Sequence, residues 1–128
     1  MVVRRRGGRV GLIHIPVSVK APGRLAARYE AMFLVDTGAM DSMAPSSELE
    51  KAGVERIGHE TFELADGSLR EYAFGVVQIE FMGAITGGRV LFGPEGVEPL
   101  LGVTALESAG FTIDPTSHTV RKLPAIRL

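Results

Sequence analysis

The chain of 128 residues carries 14 lysines and arginines against 15 aspartates and glutamates, and 45% of its residues are apolar. This length and composition fit one globular domain, and a net charge of −1 argues against nucleic acid as the main partner. The chain has no cysteine, which excludes disulfides, thiolate metal sites and a cysteine nucleophile.

Membrane and cofactor signals are missing from the sequence. No apolar run approaches the roughly 18 residues of a membrane span, and the basic start is not followed by a signal-peptide core. We therefore expect a cytoplasmic protein with no membrane partner. His14, His59 and His118 are too scattered to predict a metal site, and no glycine-rich nucleotide motif occurs. We expect no cofactor.

The first nine residues differ in composition from the rest of the chain. Residues 1–9 hold four arginines and two glycines, with little apolar surface to bury. They predict a flexible basic arm, although a tail for nucleic acid or an anionic surface is the alternative. The folded domain is expected over residues 10–128, because no internal repeat or linker divides them.

Short strands joined by turns begin after the arm. Apolar residues alternate with period two over residues 12–19, which predicts a half-buried strand. The Ala-Pro-Gly sequence at 21–23 predicts a turn, and residues 26–35 predict the returning strand. The unbroken apolar run at 32–35 favours a strand buried on both faces.

The middle of the chain predicts a short helix and a long hairpin. Residues 42–53 contain a short helix candidate, because Pro45 suits a first helical turn and Gly53 suits a stop. Asp66-Gly67 lies between two strand-like runs and predicts a hairpin over residues 61–81.

The last third of the chain predicts more short elements. Residues 89–92 predict a strand that the Gly-Pro-Glu-Gly sequence at 93–96 ends. Leu100-Leu101-Gly102 leads into a helix over 103–108, and residues 111–123 predict a last hairpin. Strands at these short spacings, with two brief helices, predict a mainly β domain.

One segment contains a candidate functional residue, Asp36. In Phe-Leu-Val-Asp-Thr-Gly-Ala, residues 33–39, an apolar strand delivers the Asp36 carboxylate directly into a glycine-containing turn. An aspartate that merely caps such a turn with its side chain is the ordinary interpretation. An unrelated β protein with Asp36 as a turn residue therefore stays open on this segment alone.

The segment resembles the active-site motif of the retropepsin-like (retroviral-protease-like, clan AA) aspartic proteases. The similarity extends to the hairpin around 65–68, which looks like the family's flap, and to Leu100-Leu101-Gly102 followed by a short helix. Order and spacing agree from about Val10 to Leu123. The resemblance implies a single domain with a closed, β-barrel-like fold, a flap hairpin and one or two short helices.

The resemblance also implies an activity, which is aspartic endopeptidase cleavage of extended polypeptide substrates. That chemistry needs a base for water and an acid for the leaving amide, which two adjacent carboxylates supply. The chain has one Asp-Thr-Gly, so the pair requires a second chain and implies a homodimer with one Asp36 from each. A non-catalytic peptide-binding or dimerisation module on the same fold is the alternative.

Residue roles follow from the same resemblance. Asp36 is the catalytic carboxylate, while Thr37 and Gly38 support the active-site loop. Thr37 is expected to hydrogen-bond across the two chains. The alternative is that the Thr37 side chain makes its hydrogen bond within its own turn. The alternative for Asp41 is an ordinary turn aspartate. The alternative for the flap candidate at 65–68 is an ordinary exposed hairpin. The substrate-binding candidates are Ala39, Asp41, Ala65, Asp66 and Gly67.

Overall fold

The structure is a computed structural model that describes residues 2–3, 12–23, 27–114, 116–126 and 128. Over these residues the chain is mainly β, with ten strands and two short helices. The strands are β1 (Val2–Val3), β2 (Leu12–Lys20), β3 (Tyr29–Asp36), β4 (Ser42–Pro45), β5 (Gly58–Glu63), β6 (Leu69–Phe81), β7 (Ala84–Gly93), β8 (Leu100–Gly102), β9 (Phe111–Asp114) and β10 (Thr119–Lys122). The helices are α1 (Ser46–Lys51) and α2 (Val103–Ser108).

Eight strands form one sheet in the order β1-β2-β3-β8-β4-β7-β6-β5. Strand β2 also pairs with β6, with Val19 opposite Ile79, so the sheet closes partly on itself. Most neighbours are antiparallel, but β3 with β8 and β4 with β7 are parallel. Strands β9 and β10 form a separate two-stranded sheet. The structure thus has a partly closed sheet with two short helices.

The core lies inside the closed part of the sheet. In β2 the buried side chains are Ile13, Ile15, Val17 and Val19, and the residues between them are more exposed. This alternation has the period of two that a strand with one inward face requires. The largest fully buried side chains are Phe33, Ile15, Leu49, Ile79, Leu101 and Leu106. Each helix contributes one of them and packs against the sheet through it.

The parallel pairing of β3 with β8 brings together two segments that are far apart in sequence. Asp36, the last residue of β3, lies opposite Gly102, the last residue of β8. The chain leaves β3 into a turn and leaves β8 into α2. The turn and the start of α2 therefore meet at one end of the sheet, where the candidate residues lie.

Several predicted elements are confirmed. The strand predicted at 12–19 is β2, and the hairpin predicted over 61–81 is β5 with β6. Helix α2 covers 103–108, and Gly110 follows it with a φ of +81°. The hairpin predicted at 111–123 is β9 with β10. The expected mainly β class is confirmed as well.

Strand β3 differs from its prediction. It begins at Tyr29, so the prediction of strand from residue 26 is wrong for Ala27 and Arg28. The run 32–35 is not buried on both faces, because Met32 is 41% exposed while Phe33 is fully buried. Only alternate residues of β3 face the core, and so an apolar run does not imply two covered faces.

The short helix predicted within residues 42–53 is confirmed as α1. Residues 42–45 form β4, which pairs with β7 and β8, and the helix covers only Ser46–Lys51. Pro45 is the N-cap residue rather than part of the first turn, while Gly53 ends the segment with a φ of +80°. Pairing on both sides of β4 makes these residues a strand, which local sequence does not reveal.

Strand β7 is longer than predicted. It begins at Ala84 rather than Arg89, and a tight turn at Met82 and Gly83 joins it to β6. Both turn residues have positive φ, +50° and +80°, which matches the twist of a two-residue hairpin. Met82 is an unusual residue for this conformation, so the usual Asn-Gly or Asp-Gly signal is missing.

The predicted basic arm over residues 1–9 is only partly described by the structure. Within residues 1–9 the structure describes only Val2 and Val3, which pair with Ile13 and Leu12 as β1. The rest of the predicted arm lies outside the described residues.

Neither α1 nor α2, the helices of the described part of the chain, has the length and apolar character needed to cross a membrane.

Candidate functional site

Asp36 lies at the end of β3, where its own turn holds its carboxylate. The backbone N–H of Gly38 donates to Asp36 Oδ1 at 3.0 Å, and the N–H of Ala39 donates to the Asp36 carbonyl at 3.1 Å. A Cβ at Gly38 would lie only 3.3 Å from Asp36 Oδ1. Glycine therefore lets the backbone amide approach the carboxylate without crowding it.

The Asp36 loop, defined as residues 36–42, is fixed by the beginning of α2. The N–H of Val103 donates to the Ala39 carbonyl at 2.8 Å, and the N–H of Thr104 donates to the Met40 carbonyl at 3.3 Å. The first backbone N–H groups of a helix have no partner within the helix. Here the loop carbonyls satisfy two of them, and the loop conformation is held by the helix.

Gly102 and Ser42 complete this contact. The Gly102 N–H donates to the hydroxyl of Ser42 at 3.0 Å, and Ser42 is the one buried polar residue among those described. A Cβ at Gly102 would lie 2.6 Å from the carbonyl oxygen of Met40 and 2.6 Å from the carbonyl carbon of Asp41. No larger residue fits there without moving the backbone.

A cleft of about 510 Å³ lies between the Asp36 loop and the β5–β6 hairpin. Its wall on the hairpin side includes Phe62 and Tyr72, whose ring centroids are 6.0 Å apart across the two strands. The lining is mostly apolar, and its carboxylates are those of Asp36, Asp41 and Glu63. The lining residues are Asp36, Gly38, Ala39, Met40, Asp41, Met43, Phe62, Glu63, Leu64, Ala65, Tyr72, Leu91 and Leu100.

The tip of the β5–β6 hairpin is a compact turn. Gly67 has a φ of +85°, and its N–H donates to the Leu64 carbonyl at 2.8 Å. The Asp66 carboxylate accepts from the hydroxyl and the N–H of Ser68, at 2.6 and 2.9 Å, which lowers the pKa of Asp66. Of the three candidates in this turn, Ala65 lines the cleft, while Asp66 and Gly67 do not.

Asp41 lines the cleft, but its charge is already paired. Arg89 Nη2 donates to Asp41 Oδ2 at 2.9 Å, and the Asp41 side chain is 10% exposed. Arg89 also donates to Glu60, and these bonds raise the pKa of Arg89, with Asp41 the larger cause. The sequence did not indicate Arg89 as a site residue, because it lies in the middle of β7 and belongs to no motif.

Thr37 is placed apart from the cleft. It is exposed in the turn after β3 and lies beside Val103 of α2 and Phe111 of β9. The structure therefore brings together Asp36, Gly38, Ala39, Asp41 and Ala65 around the cleft, with Thr37 on the neighbouring surface.

The other ionisable groups show no comparable arrangement. Across the described ranges, no group of three or more histidine, aspartate and glutamate side chains is placed to hold a metal ion. His14 lies 2.7 Å from a Glu98 carboxylate oxygen on the surface of β2. A slightly larger groove, of about 580 Å³, lies beside the β6–β7 turn and contains none of the candidate residues.

The cleft thus combines a strand-delivered carboxylate, a loop clamped by a helix and a hairpin wall. No protein-family model matches the chain, and no curated protein sequence matches it. The proposed function therefore rests on the Asp-Thr-Gly resemblance together with the geometry of the site.

Proposed function

We propose that the chain is an aspartic endopeptidase of the retropepsin-like type, acting as a homodimer with one Asp36 from each chain. The observation that supports this most directly is the position of Asp36. Its carboxylate lies at a strand end, accepts the Gly38 N–H at 3.0 Å and lines a cleft bounded by a glycine-tipped hairpin. A carboxylate held this way is oriented toward bound substrate rather than free to rotate.

The dimer follows from the chemistry and from the exposed surface near Asp36. The chain has a single Asp-Thr-Gly. The other carboxylate of the loop, Asp41, already forms an ion pair with Arg89. A second catalytic carboxylate is therefore supplied by a second chain. Thr37 is exposed and Met40 is 69% exposed, so the loop has surface on which another copy can pack.

The proposed reaction needs no covalent intermediate. Two adjacent carboxylates share one proton, because like charges at close range cannot both ionise easily. The ionised carboxylate accepts a proton from water, whose oxygen attacks the peptide carbonyl carbon, while the protonated one donates to the carbonyl oxygen. As the C–N bond breaks, the carboxyl that took the water proton gives it to the leaving nitrogen, and a hydroxyl of the tetrahedral intermediate returns its proton to the other carboxylate as the product carboxyl group forms. The pair then again shares one proton.

The substrate is an extended polypeptide. A peptide lying between the Asp36 loop and the hairpin can bond to backbone groups, while its alternate side chains enter the apolar wall. Met43, Phe62, Tyr72 and Leu91 line that wall, and the pairing of Asp41 with Arg89 removes one free negative charge. We expect apolar side chains beside the cleaved bond.

Replacing Asp36 by asparagine tests this function. Asparagine keeps the size of the side chain but cannot accept the proton from water, so cleavage of a peptide mixture should fall by at least about 100-fold. Mass spectrometry of the products and circular dichroism of the variant measure activity and fold. The matched control is Asp114→Asn, in the β9–β10 turn outside the cleft, which should still cleave.

Three outcomes separate the possibilities. Loss of cleavage in Asp36→Asn alone supports the endopeptidase. Equal cleavage by the wild type and Asp36→Asn contradicts it and points to a contaminating protease. Tight binding of peptides that the wild type leaves intact favours a non-catalytic binding module on the same fold.

A further inference from the structure

Arg89 joins two elements that border the cleft from different parts of the chain. Its Nη2 donates to Asp41 of the Asp36 loop at 2.9 Å, and its Nη1 donates to Glu60 of β5 at 3.1 Å. The guanidinium also lies 4.6 Å from the centroid of the Phe74 ring on β6. One side chain therefore contacts the loop and both strands of the hairpin.

The loop end of this contact is rigid. Asp41 is only 10% exposed at its side chain, and the backbone on both sides of it is held by Gly102 and by the beginning of α2. Arg89 itself lies in β7, which pairs along its length with β6 and β4. A group bonded to Arg89 is thereby bonded to the fixed part of the molecule.

The hairpin end has few other attachments. Strand β5 is at the edge of the sheet and, among the described strands, pairs only with β6. Most of its side chains are exposed, and Glu60 is 51% exposed. Edge hairpins with little buried surface open more readily than the strands behind them. The Glu60–Arg89 bond ties β5 to the rest of the molecule by a side chain.

We propose that Arg89 is a positioning residue that ties the β5–β6 hairpin to the Asp36 loop and sets the width of the cleft. This rests on the proposed function, because the cleft is where the peptide binds. Arginine suits the task since its planar fork bonds two carboxylates at once, whereas a lysine ammonium is a single point charge. The tie acts on substrate binding and does not take part in the proton transfers.

Four substitutions test the tie: Arg89→Met, Arg89→Lys, Glu60→Gln and Asp41→Asn. Each should raise the KM for a cleaved peptide by about threefold to tenfold with kcat changed less than about twofold, because partly exposed ion pairs contribute modestly. Lysine keeps the charge and the stem over Phe74, so it should restore thermal stability but not KM. If Arg89 acted through packing alone, lysine would restore both the thermal stability and the KM.

Hydrogen exchange of the full chain measures the tie without any substrate. Amides of residues 58–74 should exchange several-fold faster in Arg89→Met, in Glu60→Gln and also in Asp41→Asn. The last variant is decisive, because Asp41 bonds Arg89 rather than the hairpin. Faster exchange after its loss means that the hairpin is restrained through the loop.

The chain provides a matched control in Arg56, which bonds Glu50 at 2.7 Å and lies 4.2 Å from the Phe92 ring centroid. Arg56→Met and Glu50→Gln remove an ion pair and a cation–π contact of the same kind away from the cleft. They should leave KM and the exchange of residues 58–74 as in the wild type. Faster exchange in these controls to the same degree would contradict a specific tie.

The outcomes distinguish this inference from the proposed function. Unchanged hairpin exchange in Arg89→Met and Asp41→Asn overturns the tie, whatever the activity of the protein. If the variants exchange faster in the hairpin but the wild-type protein cleaves no peptide, the tie is supported and the endopeptidase is overturned. Faster exchange together with the rise in KM supports both.

Discussion

Gly102 shows how one residue controls the geometry of the Asp36 loop. Its missing side chain allows the backbone of β8 to pass against Met40 and Asp41, at distances that no Cβ tolerates. The contact aligns the Gly102 N–H with the buried Ser42 hydroxyl at 3.0 Å. The shape of the Asp36 loop therefore depends on a glycine that does not line the cleft.

Gly102→Ala should destabilise the protein by about 2–3 kcal/mol, because the added methyl group meets backbone atoms that cannot move aside. Cleavage should fall further than the loss of folded protein explains, since the Asp36 loop must shift. Urea denaturation and peptide cleavage measure the two effects. Gly87→Ala is the control, because its Cβ would lie 3.8 Å from the nearest atom. It should change stability by less than about 0.5 kcal/mol.

At the residue scale, the sequence identified those positions whose role depends on near neighbours. Asp36 was found because it ends an apolar strand and leads into a glycine-containing turn, whereas Gly102 was singled out only by the family resemblance of Leu100-Leu101-Gly102. Ser42 and Arg89 were not found, because their partners, Gly102 and Asp41, are brought to them by strand pairing. A lone serine or arginine in a strand carries no local sign of such a bond.

Helix α1 shows how an element depends on a distant loop. With six residues it is too short to be stable alone, and its N-cap Pro45 makes no side-chain capping bond. The Glu95 carboxylate, in the loop after β7, accepts from the Ser47 N–H at 2.9 Å and from the Ser47 hydroxyl. These bonds lower the pKa of Glu95, so the ionised form is the one that stabilises the helix start.

Glu95→Gln should make the protein less stable at neutral pH, and the difference from the wild type should shrink in acid. A lowered pKa in the folded state stabilises above the unfolded value, about 4.3, and the gain is lost as pH falls through the folded pKa. Urea midpoints measured from pH 7 to pH 3 check this. A gap that stays constant with pH would show that the charge of Glu95 is not involved.

The control for this measurement is Glu55→Gln. Glu55 is exposed, and its carboxylate bonds no group in the part of the chain that the structure describes. Its replacement removes the same charge without removing a helix cap. The urea midpoint of this variant should follow the wild type at every pH.

Elements were predictable where a local signal marks their ends. The Asp66-Gly67 turn and the glycine after α2 placed the β5–β6 hairpin and α2 correctly. Strand β4 was not predicted because its identity comes from pairing with β7 and β8. The β6–β7 turn was missed because Met82 adopts a positive φ that favours other residues.

At the scale of the whole molecule, our proposal requires two chains, each of which supplies half of a symmetric site. One chain supplies a single Asp36, and the exposed Thr37 and Met40 lie beside it. Within the chain, β10 pairs with β9, and the Leu123 N–H donates to the Gly110 carbonyl at 2.8 Å. The last strand is therefore already paired with β9 within the chain, and our proposal places the second copy at the exposed surface around the Asp36 loop.

The specific cleavage rate should rise with protein concentration and level off once the dimer is saturated, because mass action sets the dimer fraction. Sedimentation measured over the same range should show the dimer forming in parallel. Adding excess Asp36→Asn chain to the wild type should lower its activity, since mixed dimers hold one carboxylate. A rate per chain that is constant at all concentrations would contradict a shared active site.

The sequence by itself determined the features that depend on residues close together in the chain. These are the alternation of β2, the Asp66-Gly67 hairpin and the delivery of Asp36 by an apolar strand into a turn. Periodicity and turn chemistry act over a few residues, so they can be read locally.

The tertiary structure decided the features that depend on pairing between distant segments. Parallel pairing of β3 with β8 set Gly102 against the Asp36 loop, and pairing of β7 with β4 and β6 placed Arg89 between Asp41 and Glu60. No local pattern encodes these contacts, because strand neighbours are selected by the packing of the whole core.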